Sequence, residues 1–378
     1  MKYKYPLFKI HVNIEDTLDR LRKVFESGFL NEGKEVTELR EALKHRFGID
    51  NVTMTSSCTA SLMMALKIAD VNAGDEVIAP SMTCVATNVS TEWLGATTGW
   101  ADIDPNTGNI DPKDVEKKIT KKTKAIICVD WAGVPCELEK LQDICRKNNI
   151  KLIQDAAHAF GSEYKGREVC HWADITCYSF QAIKHITSGD GGAIVCLSDE
   201  DHDLACRLKW YGFDRDRLKD EQGNWKGRRW DSNILDVGWK MNMNNISAAI
   251  GVSNLEHADN IVETHKRNAK IYKEIFENNL KISNLSVTDE MDPAWWIYTV
   301  TLDDSIDRDE IIEMMKEKQI HTGVVHIPNH PYDCFANGGN LPATDKFSKT
   351  QICLPCGWWL AEKDVKYIAN SLISCCNN

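Results

Sequence analysis

The chain has 378 residues, 43% of them apolar, enough to bury a large core, which excludes a disordered protein. Its formal net charge of −11 excludes a general nucleic-acid binder, which needs a basic surface to displace counterions, but leaves room for a local basic pocket that takes anionic substrates. The opening Met1-Lys-Tyr-Lys-Tyr-Pro-Leu7 has no long apolar stretch and no run approaches a membrane span, so a reduced, cytoplasmic protein is expected.

From Glu15 to Phe29 the residues Leu18, Leu21, Val24 and Phe25 share one helical face, and Asn31-Glu-Gly33 breaks the pattern. A second helix carries Val36, Leu39, Leu43 and Phe47. An alternation follows: strand Val52–Thr55, helix Ala60–Ala69, strand Glu76–Ala79 stopped by Pro80, helix Thr83–Leu94, strand Thr98–Asp102, helix Lys113–Ile119. Lys124–Asp130 is apolar without alternation, the mark of a strand buried on both faces. Helix Glu137–Asn148 leads to two more strands, one ending at Asp155 and one near Ser179. A charged stretch, Asp214–Asp231, reads as a surface loop, and Ser247–Glu277 as one long helix bridging to a smaller C-terminal part. The last helix aligns Val365, Ile368, Ala369 and Leu372.

Strands alternating with helices predict an α/β fold with a largely parallel sheet, whose ligands bind beyond the carboxyl ends of the strands. Division into a large domain, residues 1–250, and a small one, 251–378, is expected. Fourteen cysteines are scattered through strand-like and helix-like runs as small apolar residues. Cys353-Leu-Pro-Cys356 has no second pair or histidine at zinc spacing, so it reads as structural and no metal site is expected. Cys375-Cys376-Asn-Asn378 lacks the aliphatic positions of a prenylation box.

Three strand ends carry the chemistry. Thr55-Ser-Ser-Cys58-Thr59-Ala60 follows a strand and opens a helix, where free amides and the dipole suit a phosphate; an ordinary N-cap by Ser57 or Thr59 explains the same residues. Asp155 closes an apolar strand, and His158 follows it in Asp-Ala-Ala-His; a helix cap and a core histidine are the plainer readings. Lys184 stands after the apolar run Ile175–Phe180 and before Gly189-Asp-Gly-Gly192, with Ser179 five residues upstream. An amine that forms an imine, plus a carboxylate that keeps a pyridine nitrogen protonated, are the needs of pyridoxal 5′-phosphate (PLP) chemistry. A solvated surface lysine remains the alternative.

In this order the segments resemble the DegT/DnrJ/EryC1/StrS family of PLP-dependent sugar aminotransferases, of fold type I. The resemblance runs through Phe29-Leu-Asn-Glu-Gly33, Ser57-Cys-Thr-Ala60, Gly74-Asp-Glu-Val-Ile-Ala-Pro80, Asp102-Ile-Asp-Pro105 and Asp155-Ala-Ala-His-Ala-Phe-Gly161. It continues through Ser179-Phe-Gln-Ala-Ile-Lys184, Gly189-Asp-Gly-Gly192, Ala248-Ala-Ile-Gly251, His326-Ile-Pro-Asn-His330 and Leu354-Pro355.

The resemblance implies a large domain with a mostly parallel seven-stranded sheet plus a smaller α/β domain. It implies Lys184 as the Schiff-base lysine, Asp155 as partner of the pyridine nitrogen and His158 as neighbour of the phenolic oxygen. Ser179, Cys58 and Thr59 become phosphate ligands. The cofactor alternates between PLP and pyridoxamine phosphate (PMP). The donor would be L-glutamate, giving 2-oxoglutarate, and the acceptor a keto sugar on a nucleotide, in amino-sugar and surface-polysaccharide synthesis. A homodimer with active sites at the subunit interface is also implied.

Three departures stand out. Cys84 replaces the aromatic residue the family often sets on the cofactor face. Gly238-Trp-Lys240-Met-Asn242-Met replaces Gly-Tyr-Asn-Tyr-Arg-Met, so Lys240 takes the place of an asparagine that reaches the partner's phosphate, and Asn242 that of an arginine. Asp130 stands at a family histidine. Asn242, His326 and His330 are the candidate substrate residues. These departures keep open a small phosphorylated ketone or a non-nucleotide keto sugar as acceptor. A PLP sugar dehydratase of the same family would carry histidine at the lysine position, and a non-enzymatic scaffold would need an added binding segment.

Overall fold

A computed structural model describes residues 3–215, 218, 226, 233–335 and 338–377. Most of the charged stretch expected as a surface loop between 214 and 231 lies outside the described residues.

Helices α1 (Ile14–Ser27) and α2 (Lys34–Phe47) precede the sheet. Helix α2 buries Val36, Leu39, Leu43 and Phe47, the stripe its spacing dictates. Helix α1 departs from expectation: it buries Val24 and Thr17, while Leu18 and Phe25 are 54% and 57% exposed. Its inward face is polar in part, with Thr17 Oγ1 donating to Ser253 Oγ at 3.1 Å, so the leucine–phenylalanine stripe faces outward.

Next come β1 (Val52–Thr55), α3 (Cys58–Ile68), β2 (Glu76–Pro80), α4 (Val85–Glu92), β3 (Thr97–Ala101), α5 (Pro112–Lys118), β4 (Thr123–Val129), α6 (Leu138–Asn148) and β5 (Lys151–Asp155). Two short strands, β6 (Glu163–Tyr164) and β7 (Arg167–Glu168), lead to β8 (Ile175–Ser179), β9 (Gly192–Cys196) and α7 (Asp199–Leu208). The seven-stranded sheet runs β1-β9-β8-β5-β4-β2-β3. Strand β9 is antiparallel to both neighbours and the remaining pairings are parallel. Both faces are covered. Ile126, Cys128, Leu152 and Tyr178 point into one core with α2 and α6, whereas Ala125, Ile127, Ile153 and Cys177 point into another with α3 and α7. That two-sided burial explains the continuous apolar runs.

The expected long helix is two: α8 (Asn245–Leu255) and α9 (Ala258–Phe276). The polar residues at the join are bound elsewhere. Asn254 Nδ2 donates to the Thr187 carbonyl at 2.9 Å, Asn254 Oδ1 accepts from the Asn13 amide, and the His257 ring meets Asn13 at 3.2 Å. The expected domain boundary at 250/251 falls inside α8. Beyond α9, β10 (Ile282–Asn284), β11 (Met291–Asp292), β12 (Tyr298–Leu302), α10 (Arg308–Glu317), α11 (Pro342–Thr350), β13 (Gln351–Leu354) and α12 (Glu362–Asn377) complete the chain. Strands β10, β12 and β13 make an antiparallel sheet against α9, α10 and α12, over a core that also takes Tyr5 and Leu7 from the N-terminal segment. Val365, Ile368, Ala369 and Leu372 of α12 are buried in it as expected.

Candidate active site

Register places the site. Thr55, Gly192 and Ser179 lie abreast across β1, β9 and β8, and Val129, Asp155 and Cys177 abreast across β4, β5 and β8. The β8–β9 connection is a hairpin loop rising from this edge: the Phe180 amide donates to the Gly191 carbonyl at 2.9 Å, and Lys184 sits at its far end. A cavity of about 480 Å³ opens there, lined by Cys58, Thr59, Cys84, Asp155, His158, Ser179, Lys184 and His326 among others.

One end of the cavity is the start of α3. Ser57 caps it, its Oγ accepting from the Ala60 amide at 3.1 Å, so the N-cap reading of the sequence holds. Capping leaves the amides of Cys58 and Thr59 without an intrahelical acceptor, open to an anion. Gly192 makes the close approach here: a Cβ on it would lie 2.6 Å from the Ser57 carbonyl carbon and 2.7 Å from the Cys58 nitrogen.

The cavity floor is Asp155. Its Oδ2 accepts from Thr87 Oγ1 at 2.7 Å and its Oδ1 from the Ala157 amide at 3.1 Å; Thr87 Oγ1 is also 2.9 Å from Thr83 Oγ1. Burial pushes the Asp155 carboxyl up, against the pull of Thr87, the Ala157 amide and Lys184.

The wall is aromatic. His158 stacks on Trp296 with ring centroids 3.9 Å apart and lies 5.4 Å from His326, the two imidazoles nearly parallel. Burial holds His158 well below the usual histidine range, with Lys184 adding to the effect, and lowers His326 to about 3. His158 Nδ1 and His326 Nε2 are buried without a hydrogen-bond partner. Lys184 Nζ stands 3.7 Å from the centroid of Trp296. Burial brings this amine down to about 8, opposed by Asp155.

Three expected residues lie elsewhere. Lys240 Nζ donates to Asn242 Oδ1 and sits 4.1 Å over the Trp210 ring, while Asn242 Nδ2 donates to Asn31 Oδ1 at 3.1 Å. Neither borders this cavity. His330 Nδ1 pairs with Ser81 Oγ at 2.8 Å, and its ring meets Trp100 edge-on. Sequence reasoning missed Thr87 and Trp296. Thr87 carries a usable signal, one helical turn from Thr83 at the start of α4. Trp296, inside the apolar run Ala294–Tyr298, carries none.

The arrangement fits PLP. It combines an amine with no carboxylate partner among the described residues, a carboxylate braced by donors, an unpartnered imidazole nitrogen and a helix N-terminus beside a serine hydroxyl. The model of the DegT/DnrJ/EryC1/StrS aminotransferase family matches residues 12–373. A UDP-4-amino-4,6-dideoxy-N-acetyl-beta-L-altrosamine transaminase from Campylobacter jejuni is 29% identical over 96% of both chains. The sugar aminotransferase CalS13 from Micromonospora echinospora superposes with a TM-score of 0.89 at 30% identity, covering 98% of this chain and 99% of that one. The PMP-form of Spr1654 from Streptococcus pneumoniae gives a TM-score of 0.90 at 26% identity, over 99% of both chains. The chain therefore belongs to the DegT/DnrJ/EryC1/StrS aminotransferase family and has the α/β fold of its sugar aminotransferases.

Proposed function

We propose that the protein uses PLP to move an amino group from L-glutamate to a keto sugar carried on a nucleotide, in amino-sugar or surface-polysaccharide synthesis. The observation that carries this is the convergence of Lys184, Asp155 and the α3 N-terminus on one cavity. The bound cofactor would supply a carbonyl that condenses with amines and a ring that takes up an electron pair. The rest is the work of this chain. Lys184 Nζ would be the amine that holds the cofactor, and the same nitrogen would hold or move a proton. Asp155, fixed by Thr87 and the Ala157 amide, would hold the ring nitrogen, the two donors favouring its ionised form against burial. The unpartnered Nδ1 of His158 is available to the phenolic oxygen, and the amides of Cys58 and Thr59 with the Ser179 hydroxyl take the phosphate. Cys84 lines the cavity and would offer a thiol to the ring's face.

We also propose a homodimer and a division into two lobes at the Glu256–His257 break. Ile14, Leu18, Phe25, Phe29 and Leu30 leave a row of apolar side chains exposed on and after α1, which supports burial against a second copy. Lys240 then serves the partner's phosphate region, and Asn242, His326 and His330 the acceptor side. A second acceptor class has its own support: among the described residues Lys184 is the only lysine or arginine lining the cavity, so these residues offer no further cation to a diphosphate. A small phosphorylated ketone or a free keto sugar fits that site. The test is a purified, PLP-loaded protein. L-Glutamate should bleach its visible absorbance, and a nucleotide-linked keto sugar should restore it. Restoration by small keto phosphates alone would select the second class, and no response to any amino donor would overturn the proposal.

A further inference from the structure

Trp296 belongs to none of the motifs that draw attention to the site, yet it touches two of its reactive groups. Its ring centroid is 3.7 Å from Lys184 Nζ, and its face stacks on His158 at 3.9 Å. Its indole N–H donates to the carbonyl of Ile183, the residue before the lysine, at 2.7 Å. The ring is 2% exposed and is packed on its outer side by Phe8 at 4.9 Å. One indole therefore grips the turn that carries Lys184 and also supports the amine.

Other groups near Lys184 do not do this. Asp155 from β5, Cys58 at the start of α3 and Cys84 before α4 act on it only through space, as do His158, His185 and His326. Asp190 lines the same cavity. Among the described residues Lys184 Nζ has no hydrogen-bond or ion-pair partner; Asp155 favours its charged form through space, and the indole face does so by direct contact.

We infer that Trp296 is a positioning residue: it holds the free Lys184 ammonium on its face and fixes His158 beside it. The inference rests on Lys184 being the reactive amine. The face of the indole offers a resting place to an amine that must leave and return. Because that contact has no proton acceptor, the amine can give up its proton without breaking an ion pair.

Labelling of the apo protein tests this without any turnover. Acetylation of Lys184 by an amine-directed reagent is followed by peptide mass spectrometry across neutral to alkaline pH. Loss of the aromatic face removes support for the charged form, so Trp296→Leu should lower the labelling midpoint by about one pH unit and raise labelling at pH 7 about fivefold. Trp296→Phe keeps a face and loses the N–H, and should fall between. A change in access alone would alter the plateau rate and leave the midpoint in place. An unchanged midpoint in the Phe and Leu variants overturns the inference, and the Phe variant decides if the Leu variant fails to fold. Cofactor attachment to the wild-type lysine is read in parallel, so a wrong assignment of Lys184 shows itself separately.

Discussion

Asp155 would be a poor partner for a ring nitrogen if burial alone set its charge. Thr87 Oγ1, at 2.7 Å, is the side-chain donor that most favours the ionised form. Losing a hydrogen bond to a charged group costs roughly 1.5–3 kcal/mol, so Thr87→Val should weaken cofactor binding about ten- to hundredfold. Titration of the apo variant with PLP measures it, and wild-type affinity would remove Thr87 from the account. Lys184 makes a prediction in pH. Its lowered pKa, about 8 against an ordinary 10.5, means the neutral nucleophile accumulates above about pH 8. The rate of cofactor capture by the apo protein should therefore rise with a midpoint near 8. A midpoint at the ordinary lysine value would mean an amine open to solvent. Asp155, His158 and Lys184 were legible in the sequence because each follows a strand in a short local pattern. Trp296 was not, because it reaches the site from more than a hundred residues downstream and carries no local mark.

At the level of elements, the strand ends decide where chemistry can occur. The β8–β9 loop brings Lys184 to the cavity that Asp155 also lines, and β9 runs close enough to α3 to hold its N-terminus at the edge of that cavity. Gly192 is the pivot. A methyl group there would press on the backbone of Ser57 and Cys58. Gly192→Ala should cost about 1–3 kcal/mol and weaken PLP and inorganic phosphate binding while the fold persists, as thermal unfolding with and without ligand would reveal. An unchanged phosphate affinity would detach this helix end from the proposed site. The run of strands and helices from β1 to β9 was readable because two-sided burial writes itself as apolar runs and each helix has a cap or a breaker. Two elements misled. The apolar stripe of α1 looked like a core face, and amphipathicity cannot say whether an apolar face meets this chain or another surface. The α8–α9 break lacks glycine or proline and depends on Asn254 and His257 being bound by distant groups.

For the whole molecule, the family membership accounts for the fold and the aminotransferase class; the acceptor, on the proposal above, depends on a second copy. The exposed row on and after α1 predicts a dimer in solution. Sedimentation should give twice the chain mass at micromolar concentration, and Leu18→Glu with Phe25→Glu should shift it toward monomer and reduce activity. A wild-type monomer with full activity would contradict the two-chain site. The overall α/β plan was legible because segment order is local information repeated many times. The positions of Lys240 and Asn242, bonded to each other and away from the cavity, were not, since they depend on contacts with Asn31 and Trp210.

The central claim is that Lys184 carries the cofactor of an aminotransferase. Borohydride reduction of the PLP-loaded protein, followed by peptide mass mapping, tests it directly. The account predicts a pyridoxyl phosphate mass on the Lys184 peptide, lost when L-glutamate is added before reduction. A label on another lysine, or one that no amino donor removes, would contradict it.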